Sequence, residues 1–345
     1  MKIIYSGVRN ENYDPNRRQS FEYHNFYLTF KSLPGVEVIE YPFDQIQEIG
    51  KEKFNQNLFE IVKREKPDLF FAFMYTDELN FETLDEIKKI TKSIAWFADD
   101  YWRFFNYSYH WPPHFSWVIT TYSEAVNWYQ KLGFKNIILS QWGCNDSDYK
   151  PLALEKDIAV SFVGQKKSGR VKILEKLEDA GIKVECYGFG WPNGKVSQEK
   201  MLEVFSRSKI CLNLTDRKSI FDPSVIARLF LKKSANKIVP DFHLLDNFRA
   251  YLHFPIIHTH ARPFELAGCR AFTISGRSKD IGKYYEEGKE MVFYDNLSDL
   301  VEKIKYYLNH DNERESIARA GYTRTINEHT YKKRFENLFK KIGLS

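Results

Sequence analysis

A chain of 345 residues, 43% of them hydrophobic, is long enough for two ordinary cores. No apolar run reaches the roughly 18 residues of a membrane span, and residues 1–6 read as a first strand rather than a leader, so the expected compartment is the cytoplasm, with the inner face of a membrane kept open. Cys144, Cys186, Cys211 and Cys269 lie far apart with no CxxC pair, which argues against a metal cage or a disulfide framework.

Charge is uneven along the chain. Residues 1–150 hold 17 Lys plus Arg and 21 Asp plus Glu, net −4; the remainder holds 34 and 25, net +9, and together they give +5. A basic second half suits an anionic ligand such as a nucleotide diphosphate. No basic cluster interleaved with aromatics stands out, so nucleic acid is not an expected partner.

In chain order, Lys2 to Tyr5 reads as a strand that delivers the polar loop Val8 to Gln19, where Arg9, Asp14 and Arg17 sit. Phe21 to Leu33 reads as a helix, Val36 to Tyr41 as a strand and Phe54 to Glu65 as a helix. The almost wholly apolar Asp68 to Tyr75 fits a strand buried on both faces. After a helix over Phe81 to Thr91 comes Ser93-Ile94-Ala95-Trp96-Phe97-Ala98-Asp99-Asp100, an apolar strand ending in two acids. Open α/β sheets bind ligands at that edge, so Asp99 and Asp100 are the candidate catalytic carboxylates, with side chains pointing different ways. Asp14, Glu22 and His24 are secondary candidates. The aromatic stretch Trp96 to Trp111 offers faces for a sugar ring or side chains for a core, and both readings stay open. Strands at Trp117 to Thr121 and Asn136 to Leu139, with a helix at Ser123 to Lys131 between them, complete the first half. The pattern breaks into a polar connection at Gln141 to Pro151, which places the boundary between residues 1–150 and 151–325; residues 326–345 are expected to form a helix returning to the first domain.

The second half starts the alternation again: a strand at Ile158 to Val163, the glycine-flanked basic loop Gly164 to Gly169, and a helix at Val171 to Ala180. Strand, glycine turn and helix let amides meet a phosphate, and Lys166, Lys167 and Arg170 add charge there. Further strands are expected at Lys183 to Tyr187, Ile210 to Leu214 and Met291 to Tyr294, and helices at Ser197 to Ser206, Ile226 to Lys233, Leu244 to Tyr251, Leu297 to Leu308, Glu313 to Glu328 and Tyr331 to Ile342. Between the last two helix-strand pairs lies Ala261 to Ser275, which concentrates the most chemistry: a helix opened by Arg262-Pro263, Glu265 in its first turn, Gly268 as its stop and a short strand after it. The segment Thr215 to Thr259 is long for one connection and reads as an insertion that shapes an acceptor site or an oligomer contact. Strand-helix alternation in both halves predicts an α/β protein with two doubly wound sheets.

Several stretches carry a resemblance. Val160-Ser161-Phe162-Val163-Gly164 with Arg170, Ser208 to Leu214, Arg262-Pro263-Phe264-Glu265 with Ala267-Gly268-Cys269, and the tail Glu290 to Tyr294, His310, Arg314, Ala318, Gly321, Glu328 to Tyr331 and Arg334 look like the GT-B glycosyltransferases. More narrowly they resemble the group-1 branch that includes CgeB-like spore-maturation proteins. The resemblance implies two Rossmann-like domains facing across a cleft, an N-terminal domain for the acceptor, and a C-terminal domain for a UDP-, GDP- or dTDP-sugar. It implies a metal-independent transfer without further cofactor, to a glycan, lipid-linked or protein acceptor in envelope or surface-polysaccharide synthesis. Glu265 matches the second glutamate of a paired motif, the carboxylate on the nucleotide ribose; the first falls at Ile257, where His258 and His260 are neighbours. Gly164, Lys167, Arg170 and Arg262 are then the diphosphate side of the pocket. A nucleotide-sugar epimerase and an inactive nucleotide- or glycan-binding protein of envelope or spore-coat assembly are the alternatives. Peripheral membrane association and homo-oligomerisation remain open.

Overall fold

The computed structural model describes residues 1–215 and 219–344. The chain divides into two compact units, each made of separate stretches: Met1–Gln141, Ser219–Ile256 and Phe335–Ser345 form one, and Trp142–Lys218 and Ile257–Arg334 the other.

The first unit is a six-stranded parallel sheet. Its strands are β1 (Lys2–Ser6), β2 (Glu37–Glu40), β3 (Leu69–Phe73), β4 (Lys92–Phe97), β5 (Trp117–Thr120) and β6 (Ile137–Leu139), in the order β2-β1-β3-β4-β5-β6. All five residues of β3 are buried, as its unbroken apolar run predicts. Phe26 and Phe30 cover one face and meet Phe71, and Phe335 stacks on Phe30 with ring centroids 4.1 Å apart. Trp96, Tyr101, Phe104 and Trp111 are also buried, while Trp102, Phe105, Tyr107 and Tyr109 pack partly buried against the same core. The aromatic stretch after the two acids is therefore mainly core.

In chain order there follow β7 (Ile158–Val163), β8 (Glu185–Tyr187) and β9 (Ser208–Asn213), then the hairpin β10 (Leu231–Ser234) and β11 (Lys237–Pro240), then β12 (Thr273–Gly276) and β13 (Val292–Tyr294). The second unit's parallel sheet has the order β13-β12-β9-β7-β8. In both units the first strand lies between the second and the third, the same winding twice. Each sheet thus has a switch point beside its first strand, at the carboxyl end of which ligands bind in open α/β folds.

Three local expectations change. The stretch Ile226 to Lys233 is not one helix: a turn of helix at Pro223–Ile226 and a 3-10 turn at Ala227–Leu229 give way to β10, antiparallel to β11. The β-branched pair Ile238 and Val239 supplies a partner strand, and strand pairing outweighs local helix preference. Residues 219–256 count with the first unit rather than with a continuous 151–325 domain; positions 216–218 of the expected Thr215 to Thr259 insertion lie outside the described residues. Gly268 is the last residue of the helix Arg262–Gly268, not its left-handed stop, a role that Arg270 takes with φ 53°. The glycine is needed for proximity: a Cβ there would overlap the sulfur of Cys144 and lie 3.3 Å from its Cβ.

Candidate functional site

In the second unit, β7 ends at the switch point and hands over to Gly164. The loop that follows is tightly tied to its neighbour. The Gly164 amide donates to the Tyr187 carbonyl (2.8 Å), the Lys166 amide to Phe189 O (2.9 Å), and the Trp191 indole to Gly164 O (2.8 Å). Gly188, at φ 125°, has no room for a side chain, since a Cβ would lie on the Gly164 carbonyl. Lys167 caps the helix Ser168–Asp179 in an extended conformation. Arg170, in the first turn of that helix, donates to Gln165 O (2.9 Å) and lies over the Phe162 ring, 5.2 Å from its centroid. Gly164, Lys167 and Arg170 are therefore brought together at one strand end, with Arg170 bracing the loop.

The helix Arg262–Gly268 runs towards β12, so its first turn stands at the carboxyl edge of the same sheet. Glu265 is buried there, and its Oε2 pairs with Arg262 Nη1 at 2.8 Å. Burial alone would lower the Arg262 guanidinium, but the Glu265 carboxylate against it raises it above its ordinary value. Arg262 also lies over the Phe205 ring, 5.4 Å from its centroid. Tyr149 joins the pair by a hydrogen bond to Glu265, and burial holds its phenol well above the usual range. Sequence spacing does not point to Tyr149, which reaches the pair from the connection before β7. His258 is buried with its ring 4.1 Å from that of exposed His260, immediately after Ile257.

Arg334 and His329 belong to the same unit. His329 Nε2 faces the Tyr284 carbonyl (2.8 Å) and Arg334 Nη2 lies 3.2 Å from its Nδ1. Burial and then the Arg334 charge push the imidazole down to about 4, so it is neutral near pH 7. Cys144 N donates to His329 O (2.8 Å) and Tyr331 N to Cys144 O (3.0 Å). The tail motif thus pins the chain where it enters this unit.

In the first unit, Asp99 and Asp100 follow β4 at its carboxyl end and separate sharply. Asp100 is fully buried; Tyr129 donates to its Oδ2 (3.1 Å), with Ser108 and Thr120 nearby, and burial pushes the carboxyl up to about 6. Asp99 is partly exposed, and its carbonyl accepts from Trp102 N and Arg103 N. A second group of acids lies beyond β1 and β3, the switch point of this sheet. Glu78 accepts from Tyr13, from Thr76 N (2.8 Å) and from Thr76 Oγ1 (2.7 Å). Glu22 opens the π-turn Tyr23–Tyr27, with Tyr5 donating to its carbonyl (3.2 Å), and burial pushes its carboxyl up to about 7. A π-turn within a helix often marks a working site. Sequence reasoning ranked Glu22 second and missed Glu78, whose only signal was an acid five residues after the end of a buried strand. The surface hollow lined by Met1, Val36, Asp68 and Glu336 is at the opposite, amino edge of the sheet. Among the described residues no group of three or more His, Cys, Asp or Glu side chains is arranged to hold a metal ion, and no helix is long and apolar enough to cross a membrane.

Residues 242–340 match the glycosyl transferase-like family. The spore protein CgeB of Bacillus subtilis (strain 168) is 23% identical over 219 residues, 62% of this chain and 64% of that protein, so the chain spans under two thirds of its relative's length. Sucrose-phosphate synthase from Thermosynechococcus elongatus shares the architecture at a TM-score of 0.63 and 9% identity, over 99% of both chains. The Anabaena protein Alr3699/HepE in complex with UDP does so at 0.60 and 10%, over 99% of this chain and 100% of that one. At these identities the structural likeness is one of fold. The fold is GT-B. Within the GT-B chain, the glycosyl transferase-like segment contains Arg262, Glu265, His329 and Arg334, whereas Gly164, Lys167 and Arg170 precede it. Fold and matched segment are both those of glycosyltransferases.

Proposed function

We propose that this GT-B chain is a glycosyltransferase that moves a sugar from a nucleotide-sugar, a UDP-sugar in the first instance, to a glycan, lipid-linked or protein acceptor of the cell envelope or surface polysaccharide. The observation that carries the reading is the Arg262–Glu265 pair, held by Tyr149 at the carboxyl edge of the second sheet inside the family segment. On this reading Glu265 meets the ribose hydroxyls, Arg262 holds that side chain in place by their ion pair, and Lys167 at the start of its helix meets the diphosphate. Transfer without a metal follows if cations and amides neutralise the leaving group. Asp99, the more exposed acid of its pair, is the candidate to contact donor or acceptor hydroxyls. The UDP in the HepE structure supports uridine as the first base to test. Ile257, where a first carboxylate is expected, favours a second reading, a nucleotide-binding protein without turnover.

Calorimetry with UDP, GDP and dTDP, followed by a panel of nucleotide-sugars with and without EDTA, tests both readings. Binding with turnover supports the first and binding without turnover the second; neither binding nor turnover with any donor refutes both. Glu265→Gln is expected to weaken UDP binding at least about tenfold, the cost of a lost charge-assisted hydrogen bond.

A further inference from the structure

Most of the large apolar side chains left exposed among the described residues fall in one segment of the first unit, 219–256. The helix Leu244–His253 is turned inside out. Its buried positions are Asn247 and Ala250, with Asn247 bonded to Asn106 (2.9 Å) and to the Leu229 carbonyl (3.2 Å), while Leu244, Leu245, Phe248 and Leu252 face solvent. These four are spaced as neighbours on one helix face. Phe242, just before the helix, is 85% exposed, and Ile238 on β11 is 70% exposed. A monomer in water gains nothing from presenting such a stripe.

Charge selects what covers it. The basic residues Lys232, Lys233, Lys237 and Arg249 are exposed. Of the three acids in the segment, Asp241 is buried against His243 (2.7 Å), and Asp246, partly exposed, accepts from Tyr109 (3.2 Å) and pairs with Arg249 (3.3 Å), so the positive charge left at this surface comes from Lys232, Lys233 and Lys237. The surface that remains is apolar and positive. A second copy would set like charges against each other across a two-fold contact. A lipid surface bearing anionic headgroups matches both properties, because apolar side chains enter the acyl boundary without needing a shaped partner and lysines gain from the surface potential.

We infer that segment 219–256 is a docking element for an anionic lipid bilayer, seating Phe242, Leu245, Phe248 and Leu252 in the interface with Lys232 and Lys237 at its rim. This holds whether or not the proposed transfer is correct, and it fits a lipid-linked acceptor if it is. Flotation of the whole chain with phosphatidylcholine vesicles, with and without 30% phosphatidylglycerol, reads it directly. The expected result is binding to the anionic vesicles, weakened by salt, and reduced roughly tenfold or more in either Leu245→Ser/Phe248→Ser or Lys232→Gln/Lys237→Gln. UDP calorimetry on the same variants separates this surface from the nucleotide pocket, since both variants should bind UDP as the wild type does if the pocket reading is right. Absence of vesicle binding, or binding indifferent to both pairs of substitutions, overturns the inference. So does a concentration-dependent dimer in analytical ultracentrifugation that Leu245→Ser/Phe248→Ser abolishes, which would assign the stripe to a second copy.

Discussion

Gly268→Ala is the sharpest test of how the family segment is packed. The substitution has two opposed effects. Alanine is about 1 kcal/mol better than glycine within a helix, and Gly268 is helical. The new methyl, however, meets the sulfur of buried Cys144, with the Cys144 Cβ at 3.3 Å and the Tyr149 carbonyl at 3.6 Å. Neither neighbour gives way easily. Cys144 is held by backbone bonds to His329 and Tyr331, and Tyr149 belongs to the Glu265 group. Overpacking of this kind costs about 1–3 kcal/mol; the overlap with the sulfur puts this case at the upper end, and less the helix gain of about 1 kcal/mol the net loss is about 2 kcal/mol, or about 4–8 °C in the unfolding temperature of a unit this size. Cys144→Ala removes the obstacle. Thermal unfolding of the wild type, both single variants and Gly268→Ala/Cys144→Ala closes a cycle, and the double variant should recover about 1–2 kcal/mol relative to the sum of the singles. A Gly268→Ala protein as stable as the wild type, or a strictly additive double variant, would refute the close-packing account of this glycine.

Asp100 offers a pH test. Because burial raises its folded carboxyl to about 6, above an unfolded value near 3.9, folding favours its protonated form; the full stability is present below pH 4 and is lost as pH rises through 6. Asp100→Asn should flatten that part of the profile and gain relative to wild type by roughly 2–3 kcal/mol between pH 4 and pH 7, measured as the difference in unfolding midpoints; an unchanged difference across that range contradicts the assignment. Gly188→Ala combines a left-handed backbone with a Cβ on the Gly164 carbonyl, so it should cost about 3 kcal/mol or more and weaken UDP binding along with it. A variant that binds UDP normally in calorimetry would detach this loop from the nucleotide pocket.

Much of the architecture could be read from residue patterns because both sheets are buried on two faces. The run Leu69 to Phe73 has no solvent-facing residue to blur it and Ile158 to Val163 has only Ala159, itself apolar, and glycines at 133 and 181 mark helix ends with positive φ as expected. What stayed hidden depends on distant partners. The strand Leu231–Ser234 exists because Lys237–Pro240 pairs with it, and no local propensity distinguishes it from one more turn of helix. The pairing of Arg262 with Glu265 is an i, i+3 relation and legible, whereas Tyr149 reaches that pair across more than a hundred residues. Asp99 and Asp100 were adjacent and chemically alike in sequence; only the positions of Tyr129, Ser108 and Thr120 decide that the second is interior.

The first unit draws its last pieces from the far end of the chain. Phe335 and Phe339 stack on Phe30, and Lys92 donates to the carbonyls of Ile342 (2.9 Å) and Gly343 (3.0 Å). During synthesis, then, residues 1–141 wait for residues 335–344. The second unit, which lies almost wholly between them in sequence, can pack before its predecessor is finished. Until then Phe26, Phe30 and Phe71 lack the Phe335 ring that covers them, and a chain truncated after Arg334 would hold every residue of the second unit but not of the first.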